Sequence, residues 1–416
     1  MKKLFSVVCL ISIFASGLVG PSVYGDVLLA PTPPMGWNSW NWWGKHEINE
    51  QVVRDTIDAM AEKGLLEAGY EYIVVDGGWR HTKLGEDGRL LAHPEKFPSG
   101  IKALADYAHS KGFKFGLHAV PGSHDCGGDP VGAWGVEEVH FAQFVEWGLD
   151  FVKLDRCQLW LAPKPDSKAD QKRVMEANWS EGDRVKATYG KWREMLDASG
   201  RSILLSASAY NPFEWYADYA QMGRTTGDIG CHYHGGAKFD DVPPKHASVM
   251  ENAEENNEVA DLAGDGYWND PDMLVTGEQG LTQEQQKAHF ALWCIMTSPL
   301  MLGSDPISMT QDELDIVANK TAIAINQDPN EQGRRISDTG DEEVWAKRLS
   351  NGDVAVLLLN RSKTDAKRVA FQMKLMGLKG KYVAHDVYAG AKLGTFNGSI
   401  DRRLNPSSGL FLLLKQ

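Results

Sequence analysis

Phe151-Val152-Lys153-Leu154-Asp155-Arg156-Cys157 is an apolar run that stops abruptly at charge. A strand of a parallel α/β sheet is buried on both faces and so reads as nearly continuous apolar sequence. Charged residues at its carboxyl end stand where the loops assemble an active site. Asp155 is therefore read as a catalytic carboxylate, and Lys153, two residues back on the same strand face, is expected to favour its ionised form.

The same short apolar pattern recurs on both sides of this run. Strands are predicted near Met35 to Trp40, Tyr72 to Val75, Phe113 to His118, Ile203 to Ala207, Gln221 to Thr225, Tyr267 to Leu274 and Leu300 to Leu302. Helical periodicity separates them at Glu50 to Leu66, Ile101 to Lys111, Glu137 to Trp147, Val185 to Ala198 and Thr282 to Met296. Eight βα units over about 300 residues fit a (β/α)₈ TIM barrel. A doubly wound sheet is the alternative, but no glycine-rich phosphate turn follows the first strand.

Past Gln327-Asp328-Pro329 the character changes. Glu343 to Arg348, Val354 to Leu359, Lys381 to Val387 and Gly409 to Leu414 are short β-rich segments punctuated by Asn, Gly and Asp, the signature of a small antiparallel β-sandwich. The expected organisation is a signal peptide over residues 1–25, a catalytic barrel over 26–328 and a β-sandwich domain over 329–416. The signal peptide is read from Lys2 and Lys3, the apolar run from Leu4 to Phe14 and the small residues before Asp26. It implies export, to a periplasm or outside the cell, and export permits disulfides.

Among 416 residues, 43% are hydrophobic and 24% charged, ordinary for a globular protein of this size. The net charge of −13 argues against nucleic acid and anionic membranes as partners, because both require clustered Lys and Arg. No later segment is long and apolar enough to span a bilayer. Of the five cysteines, Cys9 leaves with the signal peptide. Cys126 and Cys157 follow strand ends on one rim and are the best pair, with Cys231 and Cys294 left free.

Polar and aromatic residues gather at the predicted strand ends: Trp37 and Trp40, Asp76 and Trp79, His118, Lys153 and Asp155, Ser208 and Tyr210, Arg224 and Asp228, then Trp268, Asp270 and Asp272. Tryptophans interleaved with carboxylates suit a sugar, whose ring offers apolar C–H faces to indoles and hydroxyl edges to charged acceptors. Two carboxylates flanking such a pocket supply glycoside hydrolysis, with Asp155 as nucleophile and Asp228 as acid. The plainer alternatives are a structural aspartate at 155 and a helix-capping role at 228. Nucleotide or phosphate chemistry would need a basic rim, which Leu300-Met301-Leu302-Gly303-Ser304-Asp305 lacks.

Pro34-Met35-Gly36-Trp37-Asn38-Ser39-Trp40, Tyr72-Ile73-Val74-Val75-Asp76, Lys153-Leu154-Asp155-Arg156-Cys157, Arg224 followed by Asp228, and Trp268-Asn269-Asp270-Pro271-Asp272-Met273-Leu274 stand in family order and spacing. From about Thr32 onward the chain resembles glycoside hydrolase family 27, the α-galactosidase and α-N-acetylgalactosaminidase family. The resemblance implies a retaining exo-α-glycosidase with no metal and no cofactor. On it, Asp155 falls on the nucleophile and Asp228 on the acid/base, with carboxyls about 5 Å apart. Trp37, Asp76, Lys153 and Arg224 fall on positions holding the terminal sugar. His118, Ser208 and Asp272 are added as candidate substrate contacts, the alternatives being a space-filling role for His118 and a loop-organising one for Asp270 and Asp272. Cys126 and Cys157 match a family disulfide.

The chain departs from the α-galactosidase pattern at Gly77 and Gly78, where a second aspartate is usual, and at His118 and Val120, where tyrosine and aspartate are usual. Ser208 takes the place of a glutamate near O2. The expected substrate is an oligosaccharide or polysaccharide bearing terminal α-galactose. N-acetylgalactosamine, β-L-arabinopyranoside and isomaltose units are the alternatives within the family. A carbohydrate-binding barrel without turnover is the alternative outside it, and the oligomeric state is left open.

Overall fold

The computed structural model describes residues 28–157, 181–241 and 245–416, so the expected signal peptide lies outside the described residues. Eight short parallel strands follow in order: β1 (Met35–Asn38), β2 (Tyr72–Val75), β3 (Lys114–Ala119), β4 (Phe151–Asp155), β5 (Leu204–Ser208), β6 (Met222–Arg224), β7 (Trp268–Asp270) and β8 (Leu300–Leu302). Each pairs with the next through β7, and β1 also pairs with β8. A parallel bridge from Leu274 to Leu302 closes the ring. This is the expected (β/α)₈ barrel.

Three predicted strands are shorter than expected, the sixth by one residue at each end. The first ends at Asn38, whose side-chain oxygen accepts the Trp40 N–H at 2.9 Å and starts helix α1 (Trp40–Glu47). The seventh ends at Asp270, because Pro271 has no N–H to give the ladder and Asp272 adopts a left-handed backbone with φ 81°.

The outer ring includes α2 (Glu50–Glu62), α3 (Gly100–Ser110), α4 (Glu137–Trp147), α5 (Glu181–Ala198), α6 (Tyr216–Tyr219), α7 (Val249–Glu258) and α8 (Gln283–Ile295), with α9 (Gln311–Val317) and α10 (Lys320–Asn326) after β8. Ser248 and Glu251 form a capping box at the start of α7, and Thr282 and Gln285 form one on α8.

Side chains alternate along each strand, and that alternation builds two layers. Ile73, Val75, Val152, Leu154 and Leu205 face the helices, in the same core cluster as Ile57, Leu104 and Phe144. Tyr72, Val74, Phe151, Leu204, Met222, Trp268 and Met301 fill the barrel interior. Tyr72 and Phe151 fit there because Gly36 and Gly116 oppose them. A Cβ at Gly36 would lie 2.4 Å from the Tyr72 carbonyl oxygen. The lower interior is thus plugged with bulk, and two residues further along the same strand faces come Asp76, Lys153, Arg224 and Asp270.

The carboxy-terminal part forms a six-stranded antiparallel sheet ordered β14-β13-β16-β11-β10-β9 and a two-stranded sheet of β12 with β15. Its strands are β9 (Arg334–Asp338), β10 (Glu342–Arg348), β11 (Val354–Asn360), β12 (Lys367–Gln372), β13 (Tyr382–Asp386), β14 (Lys392–Phe396), β15 (Ser399–Leu404) and β16 (Ser408–Lys415). Four of them, β9, β12, β14 and β15, have no counterpart among the predicted segments. On central strand β11, Ala355, Leu357 and Leu359 join the barrel core, while Val354, Val356 and Leu358 pack under the two-stranded sheet. Helix α8 lies between the two units and is buried nearly all round, through Phe290, Leu292 and Trp293.

A charged network also crosses between the units. Glu343 is fully buried; one carboxylate oxygen accepts from Arg335 and Arg361, each at 2.8 Å, and the other accepts from the Trp345 indole at 2.8 Å. Arg361 reaches the barrel side at Asp240, 2.6 Å away, and at Glu254 of α7. Removing one partner of a buried ion pair strands the others, so Glu343→Ala should lower stability by about 3 kcal/mol in urea unfolding. A loss under about 1 kcal/mol would place these pairs with solvent-screened surface contacts instead.

Candidate active site

At the carboxyl ends of the barrel strands lies a cavity of about 180 Å³, into which Trp40, Asp76, His118, Lys153, Asp155, Tyr210, Arg224, Asp228 and Asp272 project. Pockets for drug-sized ligands run to about 300–1,000 Å³, so this one suits a single ring rather than a length of chain.

The floor is an ion pair. Lys153 Nζ lies 2.7 Å from Asp76 Oδ2, which also accepts from the Asn38 amide at 3.0 Å, while Oδ1 accepts the Gly77 N–H at 2.8 Å. Burial alone would push the Asp76 carboxyl up, but Lys153 and His118 outweigh it and hold the group well below the ordinary carboxylate range. Burial likewise works against the Lys153 ammonium, and Asp76 and Asp155 hold its pKa above the usual lysine value. Lys153 is thus the direct ion-pair partner of Asp76, and from there its charge also favours the ionised form of Asp155, as expected from the strand spacing.

Asp155 is buried, with 4% of its surface exposed. Its Oδ2 accepts the Tyr210 hydroxyl at 2.9 Å and lies 3.7 Å from His118 Nε2, and its Oδ1 accepts the Cys157 N–H at 3.3 Å. Arg80 fixes the state of His118: its guanidinium can only donate, and it does so to His118 Nδ1 at 2.8 Å, so the ring proton sits on Nε2 facing Asp155. At 3.7 Å this N–H acts on Asp155 as a dipole rather than through a full hydrogen bond. Burial raises the Asp155 pKa, and His118 first, then Lys153, more than reverse the effect, so the carboxyl lies below its ordinary value.

Asp228 stands in a contrasting setting, with its side chain 43% exposed at the cavity mouth. The buried Arg224 guanidinium holds it at 3.1 Å and Asp272 at 3.2 Å, and donates to the Gly227 carbonyl at 2.8 Å. The left-handed turn at Asp272 aims its carboxylate to accept the N–H groups of Ile229 and Met273, each at 2.8 Å, which ties the loop after β6 to the loop after β7. Burial raises Asp272, with Arg224 opposing and Asp228 adding to the rise. Burial also pushes Asp270 up, to about 6, against the pull of Arg224. Asn252 of α7 clamps the same two loops through the carbonyls of Gly227 and Pro271.

Seven of the nine site residues named from the sequence come together here: Asp76, His118, Lys153, Asp155, Arg224, Asp228 and Asp272. Trp37 does not. It is fully buried behind the strand and its indole donates to the Ser304 carbonyl at 3.0 Å, since Gly36 and Asn38 take the inward face and leave Trp37 outward. The indole that does line the cavity is that of Trp40.

Ser208 is also displaced. It pairs across the ladder with Asp155 but is fully buried and does not line the cavity. The left-handed backbone of Tyr210, φ 57°, turns the chain so that its ring meets the Arg224 guanidinium at 5.1 Å and its hydroxyl reaches Asp155. Arg80 and Lys45 line the cavity without having been singled out from the sequence.

Cys126 and Cys157 form a disulfide that ties the loop after β3 to the end of β4, and Cys231 and Cys294 are free and buried. His118, Asp155 and Cys157 bring ligand-type atoms within 4.8 Å of one another, but the disulfide leaves Cys157 no thiolate to offer a metal. Among the described residues, no helix is long and apolar enough to cross a membrane.

Comparison with known proteins accords with this geometry. Residues 32–328 match the family profile described as Alpha galactosidase A, and residues 339–414 match the Alpha galactosidase C-terminal beta sandwich domain. The chain is 37% identical over 342 residues to Alpha-galactosidase 2 of Arabidopsis thaliana, covering 81% of this chain and 78% of that one. It is 36% identical over 372 residues to Alpha-galactosidase A of Cellvibrio japonicus, covering 86% and 83%. The crystal structure of alpha-galactosidase I from Mortierella vinacea superposes with a TM-score of 0.81 at 28% identity, covering 94% of this chain and 98% of that one. The chain belongs to glycoside hydrolase family 27, the melibiase-like α-galactosidase family.

Proposed function

We propose that this chain is a retaining exo-α-galactosidase that releases terminal α-linked galactose from oligosaccharides or polysaccharides, exported by the segment preceding Asp26. The observation that carries the reading is the contrast between two carboxylates in one small cavity. Asp155 is buried and held ionised; Asp228 sits at the mouth, shares Arg224 with Asp272 and is open to water.

In the first step an Asp155 oxygen bonds to the anomeric carbon as the bond to the leaving oxygen breaks, and Asp228 gives its proton to that oxygen. In the second, the Asp228 carboxylate takes a proton from water as the water oxygen bonds to the anomeric carbon, and the sugar–Asp155 bond breaks. Asp76, Lys153 and Arg224 orient the sugar hydroxyls, and Trp40 offers its ring a flat apolar face. The left-handed turn at Tyr210 supports this assignment, since backbone strain of this kind collects at functional sites.

Hydrolysis of a panel of aryl glycosides tests the reading, with Asp155→Asn as control. The variant should fold normally and lose on the order of 10³-fold or more in kcat, because it removes the covalent step without changing volume. Activity near that of the parent would remove Asp155 from the mechanism. Asp228→Asn should cost far more on an alkyl glycoside than on one with a nitrophenolate leaving group, which needs little protonation. Equal losses on both would count against the acid/base assignment.

The pH profile supplies a separate check. His118 lowers the Asp155 pKa, so His118→Phe should raise it and move the acid limb of kcat/KM to higher pH. An acid limb that stays in place would mean that His118 does not tune the nucleophile.

A further inference from the structure

Three cations besides Lys45 line the cavity, and two of them are balanced: Lys153 by Asp76 at 2.7 Å, and Arg224 by Asp228 and Asp272 at 3.1 and 3.2 Å. Arg80 is not. It is only 7% exposed, its Nη1 donates to the His118 carbonyl at 3.2 Å and its Nη2 to the neutral His118 ring. Its Nε is buried with no hydrogen-bond partner. Among the described residues, no carboxylate lies within ion-pair distance of it. Burying an unpaired guanidinium costs several kcal/mol, so a site that retains one gains by receiving an anion.

The surroundings of Arg80 are arranged for such a group. Gly77 lines the same cavity, and with no Cβ it lets the Trp40 ring pack within 3.2 Å of where one would be, which narrows that wall to a flat apolar face. Lys45, exposed and also without an ion-pair partner among the described residues, reaches over the mouth to within 3.3 Å of where a Gly127 Cβ would be. Carboxylates act on Arg80 only through space, Asp125 most strongly and then Asp76, Asp155 and Asp129, and the Asp125 Oδ1 is already taken by the Asp129 N–H at 3.0 Å. Arg80 and Asp155 flank the same His118 ring, 2.8 Å from Nδ1 and 3.7 Å from Nε2, so one imidazole separates the guanidinium from the nucleophile.

On the reading of the site as a galactoside hydrolase, we propose that the terminal sugar it takes carries an anionic group on the side of the ring away from the anomeric carbon, seated on Arg80 and Lys45. A uronic acid carboxylate and a sulfate ester share that chemistry. Both present oxygens that a guanidinium can bind through two parallel hydrogen bonds.

The test is kcat/KM for three 4-nitrophenyl glycosides: α-D-galactopyranoside, α-D-galactopyranosiduronate and 6-O-sulfo-α-D-galactopyranoside. One anionic substrate should exceed the neutral one by about tenfold or more, the span of a charge-assisted hydrogen bond, and the excess should shrink with added salt. Which of the two leads identifies carboxylate or sulfate. Arg80→Met should abolish the preference and Arg80→Lys should keep part of it. Should Arg80→Met not fold, Lys45→Ala, a change at an exposed side chain, carries the test and should reduce the preference.

Equal or faster hydrolysis of the neutral galactoside overturns the proposal and leaves the hydrolase standing. If no glycoside is cleaved, calorimetric titration with D-galacturonate and with galactose 6-sulfate separates the two claims. Arg80-dependent binding of either upholds the anion site and overturns the hydrolase, and absence of binding overturns both.

Discussion

The ion pair between Lys153 and Asp76 crosses the top of the barrel, joining strands separated by β3, and the arrangement of the cavity follows from it. Two charges this deep survive only together, with Asn38 and the Gly77 N–H taking the remaining lone pairs. Since Lys153 makes its contact with Asp76 and acts on Asp155 only through space, the direct neighbours of Asp155 are a histidine dipole on β3 and a hydroxyl beyond β5. The nucleophile proposed here is therefore supported by strands on both sides of its own. The same rule of paired burial governs the opposite wall, where one guanidinium serves two carboxylates of different exposure.

Much of this was legible in the sequence because parallel strands carry a simple code. An apolar run ending in a charged residue marks the open end of the barrel, and the recurrence of that pattern through Asp76, Asp155 and Arg224 located both the fold and most of the cavity. Strand parity carried further information that went unread: with Gly36 and Asn38 inward, Trp37 has to face the helices. Proline likewise marked the early end of β7 at Pro271.

Other features had no local signal. Tyr210 reaches Asp155 only because its backbone turns left-handed, a conformation that nothing about tyrosine advertises. Arg80 acquires its significance from His118, 38 positions away. Strands β12 and β15 bury alternate residues only and carry charges such as Arg368 and Asp401 on the other face, so their composition resembles loop. Their pairing becomes evident only against the wide sheet that covers their apolar side.

The antiparallel unit is more than an appendage of the barrel. Arg361 and Glu343 grip α7 through Glu254, and the same helix carries Asn252, whose amide pins the loops bearing Asp228 and Asp272. Rigidity is thereby passed from one folding unit to the wall of another, as a buttress stiffens a vault. Two units joined in this way are inherited as one: recombination that exchanged the sheet for a foreign module would loosen the site it never touches.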